Sequence, residues 1–327
     1  MALFSFSGIR LGGLTVAIPK PGEGGGDIRI APEQQTTSDL GYEAAVELLE
    51  ARGVSASAIG AIIFLSRTPD YRSPATSIVL QGRLGIPIDC LAFDINMGGA
   101  GFVYALQAGC SLLQGITADY ALVIVGDTVN RQMAPGTSSD THDAATAILL
   151  EKGAGEPIYI QTQSYTEGFS SWMIPEGGFR KDDPTTPDNL SKRPVIRQYI
   201  REDRVAYDAI IEKTVPQDLR HFFDTTGLSA SSFDTFISSR LNDATRAAIS
   251  DIAGIPSGKW SEAQEAVGST VPMSLVRQPG KMILAVAHGE GISTGFAAFT
   301  LPDDAHLSLL ETDAFFENGA VSHEMPN

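Results

Sequence analysis

Hydrophobic and polar positions along the chain switch repeatedly between the spacing of strands and the spacing of helices. Residues 9–18 alternate as a strand does, and 19–26 form a Gly/Pro turn region. Ser38 and Asp39 stand where an N-cap belongs, ahead of an amphipathic run that predicts a helix over 40–52. A short apolar run at 61–66 has strand length, and Pro74 suits the first turn of a helix reaching 84. Residues 90–95 read as a strand running into Gly98, Gly99, Ala100 and Gly101, then a helix over 102–113. Three more strands are predicted at 120–125, 145–150 and 158–162.

The stretch 168–197 is rich in Pro, Gly and Asp without a period, so it reads as a long connection. Two helices follow, 203–213 and 215–225, the second with Pro216 in its first turn. Then come a strand at 233–237, a helix at 243–253 and a strand at 281–287. The turn His288, Gly289, Glu290, Gly291 leads to a last strand at 294–301. Strands alternating with helices argue for parallel sheets covered by helices. The alternation occurs twice, over 1–165 and 198–301, so two similar halves are expected. They are joined by 166–197 and followed by an acidic tail, 302–327, expected to be partly disordered.

With 327 residues, 43% of them hydrophobic, the chain can bury one large core or two medium ones. Its formal net charge of −16 repels phosphate backbones and anionic bilayers, which argues against nucleic acid and membrane partners. Cys90 and Cys110 have no paired spacing, the pattern of a reducing compartment, and Cys90 reads as a buried strand residue. Residues 1–19 lack a basic start and a small-residue cleavage site, so they read as a strand rather than a signal peptide. No apolar run reaches the roughly 18–20 residues of a membrane span. A cytoplasmic soluble protein is expected. No His/Cys/Asp cluster has metal spacing and no dinucleotide or Walker fingerprint occurs, so neither metal nor cofactor is expected.

Several ordered segments resemble β-ketoacyl-ACP synthase III of the thiolase-like superfamily. They are the stretch from Ala31 to Leu40, that from Pro69 to Thr76, the run from Phe93 to Leu106, and the phrases beginning at Tyr199 and Thr214. His142, Asp143 and Ala144 stand where the family has a glycine-aspartate-glycine turn, and His142 reads as structural. The resemblance implies a five-layered α/β/α/β/α fold of two duplicated half-domains, usually dimeric, with an acyl thioester as ligand.

It also implies a catalytic cysteine, histidine and asparagine, and here the matching positions are Gly99, Ser239 and Glu265. A thiol at a helix N-terminus has a lowered pKa and attacks the thioester. Glycine has no nucleophile, and Cys110 lies about 16 Å farther along the helix. Asn242 matches the family's closing asparagine. An ionised Glu265 would repel a developing enolate. Of the element that clamps coenzyme A in the family, only Arg29 remains. A helix face carrying Asp251 would dock an acidic carrier protein poorly.

These departures predict a catalytically degenerate subunit in fatty acid-like or polyketide-like biosynthesis. It would form a homodimer, or a heterodimer with an active ketosynthase paralogue, through the face around 92–106. One alternative is an acyltransferase built on Ser239, Glu265 and His288, with Gly289, Glu290 and Gly291 as the oxyanion loop. Another is a homodimeric acyl-binding protein without turnover.

Overall fold

The computed structural model describes residues 2–22, 28–134, 137, 141–175, 199–239, 241–261, 275–276 and 278–319. The chain opens with two strands where one was predicted. These are β1 (Ala2–Phe6) and β2 (Ile9–Pro19), separated at Gly8, whose φ of 74° turns the backbone in a way side-chain-bearing residues resist. Helix α1 (Thr37–Arg52) is capped by Thr36, not by Ser38 or Asp39. Asp39 is instead the third residue inside, and its side chain answers the Thr36 backbone to complete a capping box.

After β3 (Ile59–Leu65), α2 (Thr76–Leu84) begins two residues beyond Pro74. No cap residue of its own serves it. Asp94, in β4 (Leu91–Ile95), accepts from the N–H groups of Thr76 and Ser77 at 2.6 and 2.8 Å. Cys90 falls just outside β4 and is half-buried rather than a buried strand residue. Helix α3 (Gly101–Gly115), β5 (Tyr120–Asp127), β6 (Ala144–Lys152) and β7 (Ile158–Ser164) follow.

Two short strands, β8 (Trp172–Met173) and β9 (Arg201–Glu202), pair antiparallel. The two helices expected next are a single one, α4 (Arg204–Thr226), with Pro216 inside. An internal proline costs about 3 kcal/mol. Against that, Tyr207, Ile211, Val215, Leu219 and Phe222 form one buried stripe running past the proline into a common core. Then come β10 (Thr235–Ser238), α5 (Asp243–Ala253), β11 (Met282–Gly289), β12 (Ser293–Thr300) and β13 (His306–Thr312). Asn242, the family-matching asparagine, caps α5 by accepting from Thr245 N–H at 2.7 Å.

One sheet has the order β13-β2-β6-β5-β3-β4 and the other β1-β7-β12-β11-β10. The sheets exchange strands across the chain: β1 and β7 join the sheet of the later strands, while β13 joins that of the earlier ones. Helices α1 and α2 cover the six-stranded sheet, α3 packs between the sheets, and α4 and α5 cover the five-stranded one. This gives the α/β/α/β/α layering. Strands β5 and β6 are buried on both faces, so they are continuous apolar runs.

Part of the tail expected to be disordered is ordered as β13, parallel to β2. Its ladder with β2 and the packing of Leu307 and Leu310 are accompanied by charge pairs along its length. Asp304 meets Arg10 at 2.7 Å, Glu311 meets Arg29 at 2.8 Å and Asp313 meets Lys20 at 2.7 Å. His306 and Ser308 both hydrogen-bond Glu47 of α1.

Candidate functional site

Strands β3, β4 and β5 run parallel, so their carboxyl ends open on one rim, where ligands of open α/β sheets bind. Residues 96–100 leave β4 on this rim and lead into α3. The N-terminus of α3 carries the partial positive charge of a helix start, yet Ala100, its cap residue, offers no side-chain acceptor. Glu290, in the turn between β11 and β12, instead meets the residue just before that cap. Its Oε2 accepts from Gly99 N–H at 3.0 Å, and its Oε1 pairs closely with Arg67 Nη1.

Arg67 lies two residues past the end of β3, and its side chain is 11% exposed. Its backbone N–H and its Nε donate to Asp127, at 2.7 and 3.2 Å, and its guanidinium lies 4.9 Å from the centre of the Trp172 ring. Burial alone would lower the guanidinium's pKa, but Glu290 and Asp127 outweigh it and hold the group above its ordinary value. Asp127, fully buried at the end of β5, also accepts from Ser66 Oγ at 3.2 Å.

Backbone closes the remaining space. An ideal Cβ on Gly99 would lie 2.1 Å from the carbonyl oxygen of His288, and one on Gly98 would lie 1.5 Å from Glu290 Oε2. One on Gly289 would lie 2.6 and 2.7 Å from the nitrogens of Gly99 and Ala100. The ends of β11 and α3 thus touch main chain to main chain, with no space for a side chain between them.

The expected turn from His288 to Gly291 is shorter than read, because β11 runs through Gly289 and the reversal falls at Gly291, with φ of 87°. The Ser239 hydroxyl does not engage the His288 ring. It donates to the His288 carbonyl at 3.2 Å and accepts from the His288 N–H at 2.8 Å. The ring turns to α4, with Nδ1 2.7 Å from the hydroxyl of Tyr207. Burial pushes the Tyr207 hydroxyl far up, and Glu290 adds to it. Glu265 lies outside the described residues. His142 accepts from Arg29 N–H at 3.0 Å and so holds the chain before α1, while the Arg29 side chain is spent on β13.

Cys110 is buried in the core between the sheets, which pushes its thiol up to about 12; burial likewise pushes Cys90 up to about 11. Among the described residues no group of His, Cys, Asp and Glu could hold a metal, and no helix is long and apolar enough to cross a membrane. Arg67, Asp127 and Tyr207 were not read from the sequence as site residues. Arg67 and Asp127 stand at the ends of adjacent parallel strands, and that position was the signal available.

Comparison with known proteins agrees with this architecture. The profile of the family described as 3-oxoacyl-[acyl-carrier-protein (ACP)] synthase III matches residues 93–168, from β4 to just after β7. A β-ketoacyl-[acyl-carrier-protein] synthase III of Levilactobacillus brevis is 31% identical over 238 residues, covering 70% of this chain and 68% of that protein. The chain belongs to the β-ketoacyl-ACP synthase III family. A synthase III of Rhizorhabdus wittichii is 29% identical over 291 residues, 82% of this chain and 85% of its own. The crystal structure of a 3-oxoacyl-(acyl-carrier protein) synthase from Burkholderia xenovorans superposes with a TM-score of 0.82 at 25% identity. It covers 95% of this chain and 99% of that one.

Proposed function

We propose that this chain is a synthase III-type subunit that forms no acyl-enzyme, and that it acts by pairing with an active ketosynthase paralogue in fatty acid-like or polyketide-like biosynthesis. One observation carries the reading. Where the family resemblance places the nucleophile there is Gly99, with the His288 carbonyl 2.1 Å from where a Cβ would be and the Glu290 carboxylate on the Gly99 N–H. An acyl thioester meets no nucleophile there, and the Gly99 N–H is already taken by Glu290. Cys110 cannot substitute, because its thiol stays protonated in the inter-sheet core. A Ser-His-Glu arrangement gains no support either, since the Ser239 hydroxyl is committed to the His288 main chain and the ring to Tyr207.

Pairing is supported by the β4 edge of the six-stranded sheet. β13 and β4 are its two edge strands, and β4 is half-exposed along its length. Ile88 is fully exposed and Leu91 46% exposed beside it, a flat apolar edge that isolated proteins usually protect. The test is incubation with acyl-coenzyme A followed by intact mass measurement, together with co-expression with a cysteine-bearing paralogue. No adduct and a recovered complex are expected. A stable adduct mapped near Gly99, Ser239 or His288 would overturn the reading.

A further inference from the structure

Four features meet at the start of α3: a helix N-terminus without a cap of its own, Gly98 with no Cβ, the N–H of Gly99, and the buried guanidinium of Arg67. Together they form a cradle, and a carboxylate lies in it. One oxygen of Glu290 takes the Gly99 N–H, and the other takes Arg67 Nη1. The fit is that of a flat two-oxygen group, since any side-chain carbon on Gly98 would collide with it. Glu290 is one-fifth exposed, so solvent reaches the cradle.

We infer that the protein carries a carboxylate-binding site built by Gly98, the Gly99 N–H and Arg67, and that Glu290 is a tethered ligand filling it from within. This rests on the reading that no acyl-enzyme forms at Gly99, and it adds the ligand class of the vacated site. A monocarboxylate is favoured over a phosphate dianion because Asp127 already occupies the Nε edge of Arg67. A second negative charge beside that fully buried aspartate would be repelled. The arrangement acts as an autoinhibitory contact: any carboxylate entering the site must first displace Glu290.

Removing the tether should open the cradle to a free carboxylate. The test is thermal unfolding of Glu290→Ala in sodium formate and in sodium chloride at equal ionic strength. Glu290→Ala in chloride should melt about 4–8 °C below the wild type, as loss of one partner of a buried pair predicts for a chain of this size. Formate should restore at least half of that loss, while the wild type should respond alike to both salts. In Glu290→Gln the amide fills the space, so formate should bring no gain. Coincident formate and chloride curves for Glu290→Ala, or an unchanged melting point, would overturn the proposal.

If Glu290→Ala does not fold on expression, refolding in each salt reads the same property. Soluble protein in formate beyond that in chloride supports the proposal, and equal yields reject it. Failure of this inference is separable from failure of the functional reading. The latter shows as an acyl adduct by mass, and the former as absence of formate rescue whether or not an adduct forms.

Discussion

A methyl group at position 99 would lie 2.1 Å from a main-chain oxygen, a distance that a flexible side chain could relieve but a strand end resists. Gly99→Ala should therefore destabilise by about 1–3 kcal/mol, the usual cost of overpacking. Gly99→Cys should do the same without yielding a reactive thiol, although a bare helix N-terminus would have activated one. Urea unfolding and titration with a thiol reagent check both; a Gly99→Cys protein as stable as the parent and rapidly labelled would show that the end of β11 does not close the site. The native cysteines should resist the same reagent at pH 8, because burial keeps both protonated there, and should react once the chain unfolds. Asp70 presents the opposite economy. Ser38 Oγ donates to one of its oxygens at 2.6 Å, while the other is buried without a hydrogen-bond partner among the described residues. Burial raises its pKa, so the folded state binds its proton more tightly than the unfolded chain does. The ionised group costs stability above the unfolded carboxylate range, and that cost fades as pH falls through the raised folded value. Asp70→Asn should raise the melting temperature at pH 7 and lose the advantage in acid, as a pH series of melts would record.

Elements in this fold are often finished by residues from elsewhere in the chain. Helix α2 has no cap in its own sequence and takes one from Asp94 in β4, so Asp94→Ala should cost about 0.5–2 kcal/mol, as loss of a cap does. Hydrogen exchange at the first turn of α2 should rise with it; unchanged protection there would contradict the assignment. β13 depends in the same way on Glu47 of α1, whose carboxylate accepts from Thr15 and Ser308 and meets His306 at 2.9 Å. Burial pushes Glu47 up, but those hydrogen bonds prevail and hold it below the usual carboxylate range. Its contribution is therefore complete above the ordinary carboxylate pKa and is lost as pH falls through the lower folded value. Exchange of residues 306–312 should accelerate over that acid interval, and Glu47→Gln should show the fast behaviour at neutral pH. Equal exchange in parent and variant at pH 7 would rule out Glu47 as the anchor.

At the scale of the molecule, two sheets share strands from both ends of the chain and enclose α3 between them. β4 is a half-exposed edge of the larger sheet, with Ile88 and Leu91 beside it. The expected solution state is a dimer, with itself or with a paralogue. Leu91→Glu should dissociate it, because a charge buried without a partner costs several kcal/mol. Light scattering coupled to size exclusion decides this, and a well-behaved monomeric parent with no partner on co-expression would remove the support for pairing.

The sequence by itself determined the family, the strand-helix alternation and the absence of a thiol at position 99, because each is written in local spacing or in ordered short phrases. Asn242 was legible only as the match to the family's closing asparagine, and its capping of α5 emerged with the structure. Tertiary structure alone decided what occupies the start of α3. Glu290 and Arg67 are 223 residues apart, and no local pattern states that a turn after β11 reaches a rim formed by β3 and β5. The unity of α4 also lay beyond local rules, since Pro216 reads as a helix start until burial of residues on both sides of it is known. The strand β13 was hidden for the same reason. Its residues are mostly half-exposed, so hydrophobic period is weak, and its place is set by a backbone ladder with β2 and by polar partners from β2, α1 and the loop before α1. Periodicity records which face of an element is buried, whereas strand partners and polar pairs across long sequence separations are settled only when the chain has folded.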